Sequence, residues 1–241
     1  MSDPGLLKFD WPLPPGVHAA FTTRTCGNVG AHVGDDPAAV AANRERLRSL
    51  LNLQAEPAWL NQVHGIAVAD LGKTYGKPMT ADAAIASVTG RPCVIMVADC
   101  LPVLFASGDG EIIAAAHAGW RGLAAGVLER AVTAMRVTPS GITAWLGPAI
   151  SQRHFEVGAE VREVFVAADA RAATYFVPNE RGRWQADLIG LARRRLALLG
   201  IESISGGEWC TFADRERFFS HRRDGDVAGG TGRMAALIWR V

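Results

Sequence analysis

The chain has 241 residues, 49% hydrophobic and 20% charged, which supports a substantial core in one large domain or two intertwined halves. A formal net charge of +1 argues against wholesale attraction to nucleic acid or a membrane surface. No apolar run is long enough to span a bilayer, Met1-Ser2-Asp3-Pro4-Gly5 lacks a secretory pattern, and Cys26, Cys93, Cys100 and Cys210 show neither CxxC nor disulfide-framework spacing, so a reducing cytoplasm is the expected home.

Residues 1–16 are rich in proline and read as an irregular lead-in, followed by a predicted strand over 17–23. Asp36-Pro37 opens a helix, with Asp at the N-cap and Pro at the first helical position. Val40, Leu47 and Leu51 share one face of it, and Arg44, Arg46 and Arg48 lie largely off that face. Residues 58–63 read as a strand that delivers Gln62 and His64. Three apolar runs follow at 94–99, 102–107 and 111–118, with a turn at Ser107-Gly108-Asp109-Gly110. An up-down-up meander would bring Cys100 and His117 out at one end of a sheet, with neighbouring strands about 4.8 Å apart. A helix is predicted over 122–135, with Leu123, Val127, Leu128, Ala131 and Met135 inward. A strand follows at 142–146, then helices at 158–173 and 186–199, the second stopped by Gly200. Strands at 218–220 and 234–239 close the chain. This irregular alternation predicts a mixed-sheet α/β or α+β fold, and no linker divides residues 1–241.

The chemistry gathers at three places: His64 in Asn61-Gln62-Val63-His64-Gly65, Cys100 in Ala98-Asp99-Cys100, and His117 in His117-Ala118-Gly119-Trp120-Arg121-Gly122. Each closes an apolar run beside Gly, Pro or Asp, where polar side chains reach a sheet rim. Together they make a Cys/His/His set for one zinc ion with a fourth position open to water or substrate. Taken singly, each has a plainer reading: Cys100 as a core thiol like Cys93, His117 as a capping turn, His64 as a chance histidine like His18, His32 or His154. His221, in Phe219-Ser220-His221-Arg222-Arg223-Asp224, is the most site-like of the others. Arg193-Arg194-Arg195 reads as a solvated helix face, whereas Arg24, Arg44, Arg121, Arg222 and Arg223 sit where a guanidinium could grip phosphate or carboxylate. Amides at 119–122 offer a further anion contact. Neither a Walker A nor a GxGxxG unit is present.

Beyond these strings come Ala81-Asp82-Ala83, Ala98-Asp99-Cys100-Leu101-Pro102-Val103, Trp145-Leu146-Gly147-Pro148-Ala149-Ile150, Phe155-Glu156-Val157-Gly158, Cys210-Thr211, and Gly232-Arg233. In this order they resemble the bacterial YfiH family, also labelled polyphenol oxidase or laccase-domain proteins and described as zinc-dependent purine nucleoside phosphorylases with adenosine deaminase activity. The resemblance runs from about residue 21 to the end. It implies a mixed-sheet fold related to the catalytic domain of a deamidating toxin, with zinc on His64, Cys100 and His117. It also implies phosphorolysis of adenosine, inosine, guanosine and methylthioadenosine, deamination of adenosine, and Arg223 as a substrate-site residue. Asp99 or another nearby carboxylate is the expected proton carrier, and Gln62, Arg44, Arg121 and Arg222 are further expected substrate contacts. One departure stands out: the family's longer loop after Arg24 is cut here to Thr25-Cys26-Gly27-Asn28-Val29-Gly30.

Three rivals use the same residues. A cysteine hydrolase acting on an amide, with cell-wall metabolism as one setting, would take Cys100 as nucleophile and His117 as base. A non-catalytic zinc module would close the fourth position, with Cys210 as the candidate. A copper oxidase is less favoured than zinc chemistry, because six histidines include no His-x-His pair.

Overall fold

The computed structural model describes residues 5–76, 79–225 and 231–241. Its elements begin β1 (Val17–Phe21), α1 (Pro37–Leu50), β2 (Val68–Asp70), α2 (Leu71–Thr74), β3 (Ala83–Ala86), β4 (Cys93–Val97), β5 (Leu101–Ser107) and β6 (Ile113–Ala118). They continue with α3 (Trp120–Ala125), α4 (Val127–Met135), β7 (Ile142–Leu146), β8 (Glu156–Val157), α5 (Ala159–Ala168), β9 (Phe176–Pro178) and β10 (Trp184–Ala186). The chain closes with α6 (Leu188–Leu198), β11 (Ser203–Gly206), α7 (His221–Asp224) and β12 (Met234–Arg240).

Six strands form the central mixed sheet in the order β11-β7-β5-β6-β3-β2. Its outer pairs, β11 with β7 and β2 with β3, are parallel, and the inner pairs are antiparallel. Alternate residues of β5 and β6 serve opposite faces, as the two-residue repeat of a strand requires. Val103, Phe105, Ala114 and Ala116 pack with Leu123, Leu128 and Leu191 of the helical layer. Leu104, Ala106, Ile113 and Ala115 pack with Ile95, Val97, Ala236 and Ile238 of a second, antiparallel sheet, β1-β12-β4. Both faces are therefore covered, which is why these strands read as unbroken apolar runs. The far face of the second sheet buries Val94, Met96, Ala235 and Leu237 with Leu47 of α1. Asp36 caps α1 by accepting the Ala38 amide at 3.0 Å, with Pro37 at the first turn, as its sequence predicts. A small sheet, β8-β10-β9, completes the architecture.

This mixed α/β fold is the predicted class, with corrections in detail. The meander does not form: β4 pairs with β12, and β5 pairs with β6 and β7. Residues 58–63 are not a strand, having only single bridges from Ala58 to Cys93 and Asn61 to Thr80. The helix over 122–135 breaks at Gly126, which takes φ +100° and separates α3 from α4. The helix over 158–173 stops at Ala168, because Asp169 caps a separate 3-10 turn, Ala170–Tyr175. Residues 184–186 belong to a strand, so the next helix starts after its N-cap, Asp187. Residues 218–220 are not a strand; Ser220 instead caps α7. Of the irregular lead-in, residues 1–4 lie outside the described residues, and Leu6 bridges Thr22. No helix among the described residues is long and apolar enough to cross a membrane.

Candidate metal centre

The antiparallel register of β5 and β6 places Leu101 opposite Ala118 and Pro102 opposite His117. Cys100, one residue before β5, therefore meets His117 at the same sheet end. His64 arrives on the loop after residue 61, and Asp82 holds that loop. The carboxylate of Asp82 accepts the amides of Val63 (3.1 Å), His64 (2.9 Å) and Gly65 (2.7 Å). The same carboxylate accepts from His117 Nδ1 at 2.8 Å, and the Asp82 carbonyl accepts the His117 amide at 2.7 Å. One fully buried side chain thus ties two histidine-bearing segments together. It also fixes the His117 tautomer, so that Nε2 keeps its lone pair for a metal. His64 takes φ +61° and Asp99 φ +85°, conformations that L-residues adopt only when their surroundings hold them.

The ligand atoms of His64, Cys100 and His117 all lie within 4.8 Å of one another, the only such group among the described residues. Cys100 Sγ is 3.9 Å from His64 Nε2, and the two imidazole centroids are 4.8 Å apart. Tetrahedral zinc bonds to sulfur and nitrogen imply an S···N spacing of about 3.5 Å, so a few tenths of an ångström of closure suffice. His117 is buried, Cys100 half-buried and His64 exposed, which gives the cluster one open side. Gly119 makes this approach possible: a Cβ there would stand 2.9 Å from Cys100 Sγ and 3.0 Å from His64 Cδ2. The donor set and its spacing fit a single metal ion.

Electrostatics prepare the same atoms. Burial opposes ionisation of Cys100, but the charge and hydrogen bond of His117, with help from His64, bring the thiol down to about 6. Burial also opposes charge on His117, and the Cys100 thiolate and the Asp82 carboxylate overcome it, lifting the imidazole to about 9. Without metal the pair is a thiolate beside an imidazolium, and a metal ion replaces the proton between them. Cys93, wholly buried, has its thiol pushed upward by burial alone.

Two cavities meet at the cluster. The larger, about 310 Å³, has His64 and Cys100 on one side and Trp120, Ile150, Phe155 and Leu188 as apolar walls. Arg121, Arg222, His221 and Asp99 also line it. The smaller, about 150 Å³, is lined by all three cluster residues with His32, Gln62, Met96, His221 and Arg233.

The expected site residues fare differently. Arg121, stacked 4.4 Å over Trp120, and Arg222, held by the Glu156 carbonyl at 3.0 Å, reach the larger cavity. Gln62 reaches the smaller one, but its amide is locked on the Met96 backbone in both directions at 2.8 Å. The Asp99 carboxylate is taken by Thr211 Oγ1 (2.6 Å), Ser220 Oγ (3.0 Å) and the Arg222 amide (2.7 Å). It therefore clamps the α7 turn beside the cluster. Arg223 is not brought to the cluster. Its guanidinium donates to Asp224 (2.8 and 2.7 Å) and to the carbonyls of Thr211 (3.0 Å), Phe212 (2.9 Å) and Phe218 (2.8 Å). Arg44 binds the Val29 carbonyl at 2.9 Å, stacks 4.1 Å over Trp59 and lines a separate cleft along α1. Arg24 is held by the Arg215 carbonyl at 2.7 Å. Cys210 does not close the set: it sits 3.6 Å from His154 Nδ1 and accepts the Ser151 amide at 3.4 Å. Sequence reasoning missed Asp82, His32, Arg233, Trp120, Phe155 and Ile150 as site-building residues. All of these but His32 lie inside strings that carried the resemblance, and that was the available signal.

Fold and cluster together define a mixed α/β protein with a metal-type Cys/His/His centre at strand ends. The family model described as multi-copper polyphenol oxidoreductase laccase matches residues 18–241. The chain is 49% identical to purine nucleoside phosphorylase YfiH of Escherichia coli (strain K12), covering 98% of this chain and 99% of that protein. It is 48% identical to purine nucleoside phosphorylase PA4543 of Pseudomonas aeruginosa, covering 97% of each. The crystal structure of Neisseria meningitidis protein NMB0706 superposes with a TM-score of 0.92 at 44% identity, covering 98% of this chain and 99% of that one. YlmD from Geobacillus stearothermophilus superposes with a TM-score of 0.88 at 29% identity, over 98% of this chain and 96% of that one. The chain belongs to the YfiH family of laccase-like proteins.

Proposed function

We propose that this protein is a zinc-dependent purine nucleoside phosphorylase, acting on adenosine, inosine, guanosine and methylthioadenosine, that also deaminates adenosine. The observation that carries this reading is the position of the cluster, at the junction of an apolar, aromatic-walled cavity and a smaller cationic one. Relatives that align over nearly the whole chain bear the name purine nucleoside phosphorylase. The larger cavity has the volume and lining of a small-molecule site, with Trp120 and Phe155 offering flat surfaces to a purine. One thiolate with two imidazoles suits zinc, which when bound supplies a Lewis acid with an open position. The chain's own groups do the positioning. Asp82 orients His117 and the His64 loop, and Asp99 holds the turn that carries His221. His221 lines both cavities, where it can give a proton to the departing base. In phosphorolysis a phosphate oxygen bonds to C1′ of the ribose as the bond from C1′ to the base breaks. The electron pair leaves with the base, which takes up the proton.

A second reading has one specific observation in its favour. Asp82, His117 and Cys100 form a carboxylate–imidazole–thiol relay, and the thiol is already lowered to about 6, as a cysteine hydrolase acting on an amide would need. His64 separates the two readings, because the relay does not use it and a three-ligand metal site does. The test incubates zinc-loaded and chelator-stripped protein with inosine and adenosine, with and without phosphate. The phosphorylase reading expects zinc- and phosphate-dependent release of base and ribose 1-phosphate, and ammonia from adenosine. Amide hydrolysis that is fastest in stripped protein, with no cleavage of either nucleoside, would replace it with the hydrolase.

A further inference from the structure

Among the described residues, Arg233 is a half-buried guanidinium with no carboxylate at ion-pair distance, unlike Arg195, Arg223 and Arg240. Its Nη1 is fixed by the carbonyls of Thr231 (2.7 Å) and Gly232 (3.3 Å), and among the described residues no acceptor takes Nε or Nη2. Cys100 and Asp99 are the negative charges that reach it, neither through a hydrogen bond, and a metal on Cys100 would neutralise the thiolate, so an anion in the cavity would supply the missing partner. The site around it is built. The buried Asn28 side chain accepts the amides of Gly30 and Arg233, both at 2.8 Å, and donates to the Gly30 carbonyl (3.1 Å) and to Asp35 (3.0 Å). This joins the shortened loop, which leads into His32, to the start of the last strand. Gly30 leaves room for the arginine stem, since a Cβ there would lie 2.7 Å from Arg233 Cγ. Arg233, His32 and the metal-type cluster face one cavity of about 150 Å³, and among the described residues no Asp or Glu lines it.

We infer that this smaller cavity is a subsite for inorganic phosphate, with Arg233 as its principal binding residue and His32 as a second. Only the choice of phosphate as the anion rests on the phosphorylase reading; the anion site itself rests on Arg233 Nε and Nη2, from which no described residue accepts. The two cavities share His64, Ala98, Cys100 and His221, so phosphate in the smaller and nucleoside in the larger would be neighbours, as attack on C1′ requires. It also gives the shortened loop a role, namely carrying His32 to the phosphate.

The test titrates zinc-loaded protein with inorganic phosphate alone by calorimetry, and measures KM for phosphate and for inosine separately. Arg233→Met is expected to weaken phosphate binding at least tenfold and to raise the phosphate KM by a similar factor. Zinc content and the inosine KM should stay within twofold. His32→Ala, on an exposed loop, is expected to weaken phosphate severalfold and serves where Arg233→Met does not fold. Arg233→Lys should recover part of the loss, because it restores charge without the fork. Unchanged phosphate binding in Arg233→Met, or in His32→Ala where that variant stands in, would overturn the subsite, as would no binding to the parent protein at millimolar phosphate. Arg233-dependent phosphate binding without nucleoside cleavage would keep the subsite and remove the phosphorylase.

Discussion

Cys93 and Cys100 bracket one short strand, yet they sit in opposite chemical worlds. Cys93 begins β4, is wholly buried between the two sheets, and burial alone pushes its thiol up. Cys100 follows the end of that strand, in a turn that Asp99 makes at φ +85°, and two imidazoles bring its thiol down to about 6. The strand interior provides only apolar neighbours, whereas the rim provides polar partners and a route to solvent. Position along a strand, rather than residue type, leaves one thiol inert and puts the other between two imidazoles.

The sharpest way to break this contrast is to remove each thiol. Cys100→Ala should cost on the order of 10²–10³-fold in zinc affinity, the share of one ligand in a typical site, and take nucleoside cleavage to background. Cys93→Ala should cost about 1–2 kcal/mol of stability and keep both properties. Zinc content and denaturant titration of the two variants check this, and equal metal loss would erase the distinction. Next in size, Asp82→Asn turns an amide N–H toward His117 Nδ1 and favours the tautomer that protonates Nε2. Zinc affinity should fall about 10–100-fold, read by chelator competition.

A third effect follows from the shared proton. Between about 6 and 9 the metal-free pair holds one proton, on His117, and metal binding must expel it. Apparent zinc affinity should therefore rise about tenfold per pH unit across that window, more steeply below it, where Cys100 is also protonated, and level off above it. A flat profile would contradict the pairing. The smallest expected effect is on the stability of metal-free protein. His117 is raised from 6.5 to about 9, so its contribution is full below 6.5 and fades toward 9. Cys100 is lowered from 9.0 to about 6, so its contribution is full above 9.0 and fades toward 6. Across 6.5 to 9 the two slopes cancel, and the pair should add almost no pH dependence to urea midpoints. The Cys100→Ala variant should lose that balance.

Much of this was legible in the sequence, for reasons that differ by residue. The α1 cap follows from Asp36-Pro37, and β5 and β6 follow from apolar runs separated by a Gly-rich turn, so the meeting of Cys100 and His117 needed only their pairing. Strand β3 was hidden because Ala83–Ala86 is short, alanine-rich and without alternation. With β3 hidden, Asp82 could not be seen as the hinge between the two histidines. Residues 94–97 look like a neighbour of β5, and only packing between sheets decides that they pair with β12 instead. Arg223 and Arg233 are indistinguishable as single letters. Arg223 has Asp224 beside it and spends its guanidinium there, whereas Arg233 meets only the carbonyls of Thr231 and Gly232 among the described residues. The apolar walls of the larger cavity, Trp120, Ile150 and Phe155, come from three separate segments, and no local pattern announces that they converge.

X-ray absorption at the zinc edge of stoichiometrically loaded protein reads the ligand set without reference to activity. One sulfur at about 2.3 Å with three nitrogen or oxygen neighbours at about 2.0–2.1 Å, two of them showing imidazole scattering, is the expected shell. A shell without sulfur, or with two sulfurs, would contradict a metal held by His64, Cys100 and His117.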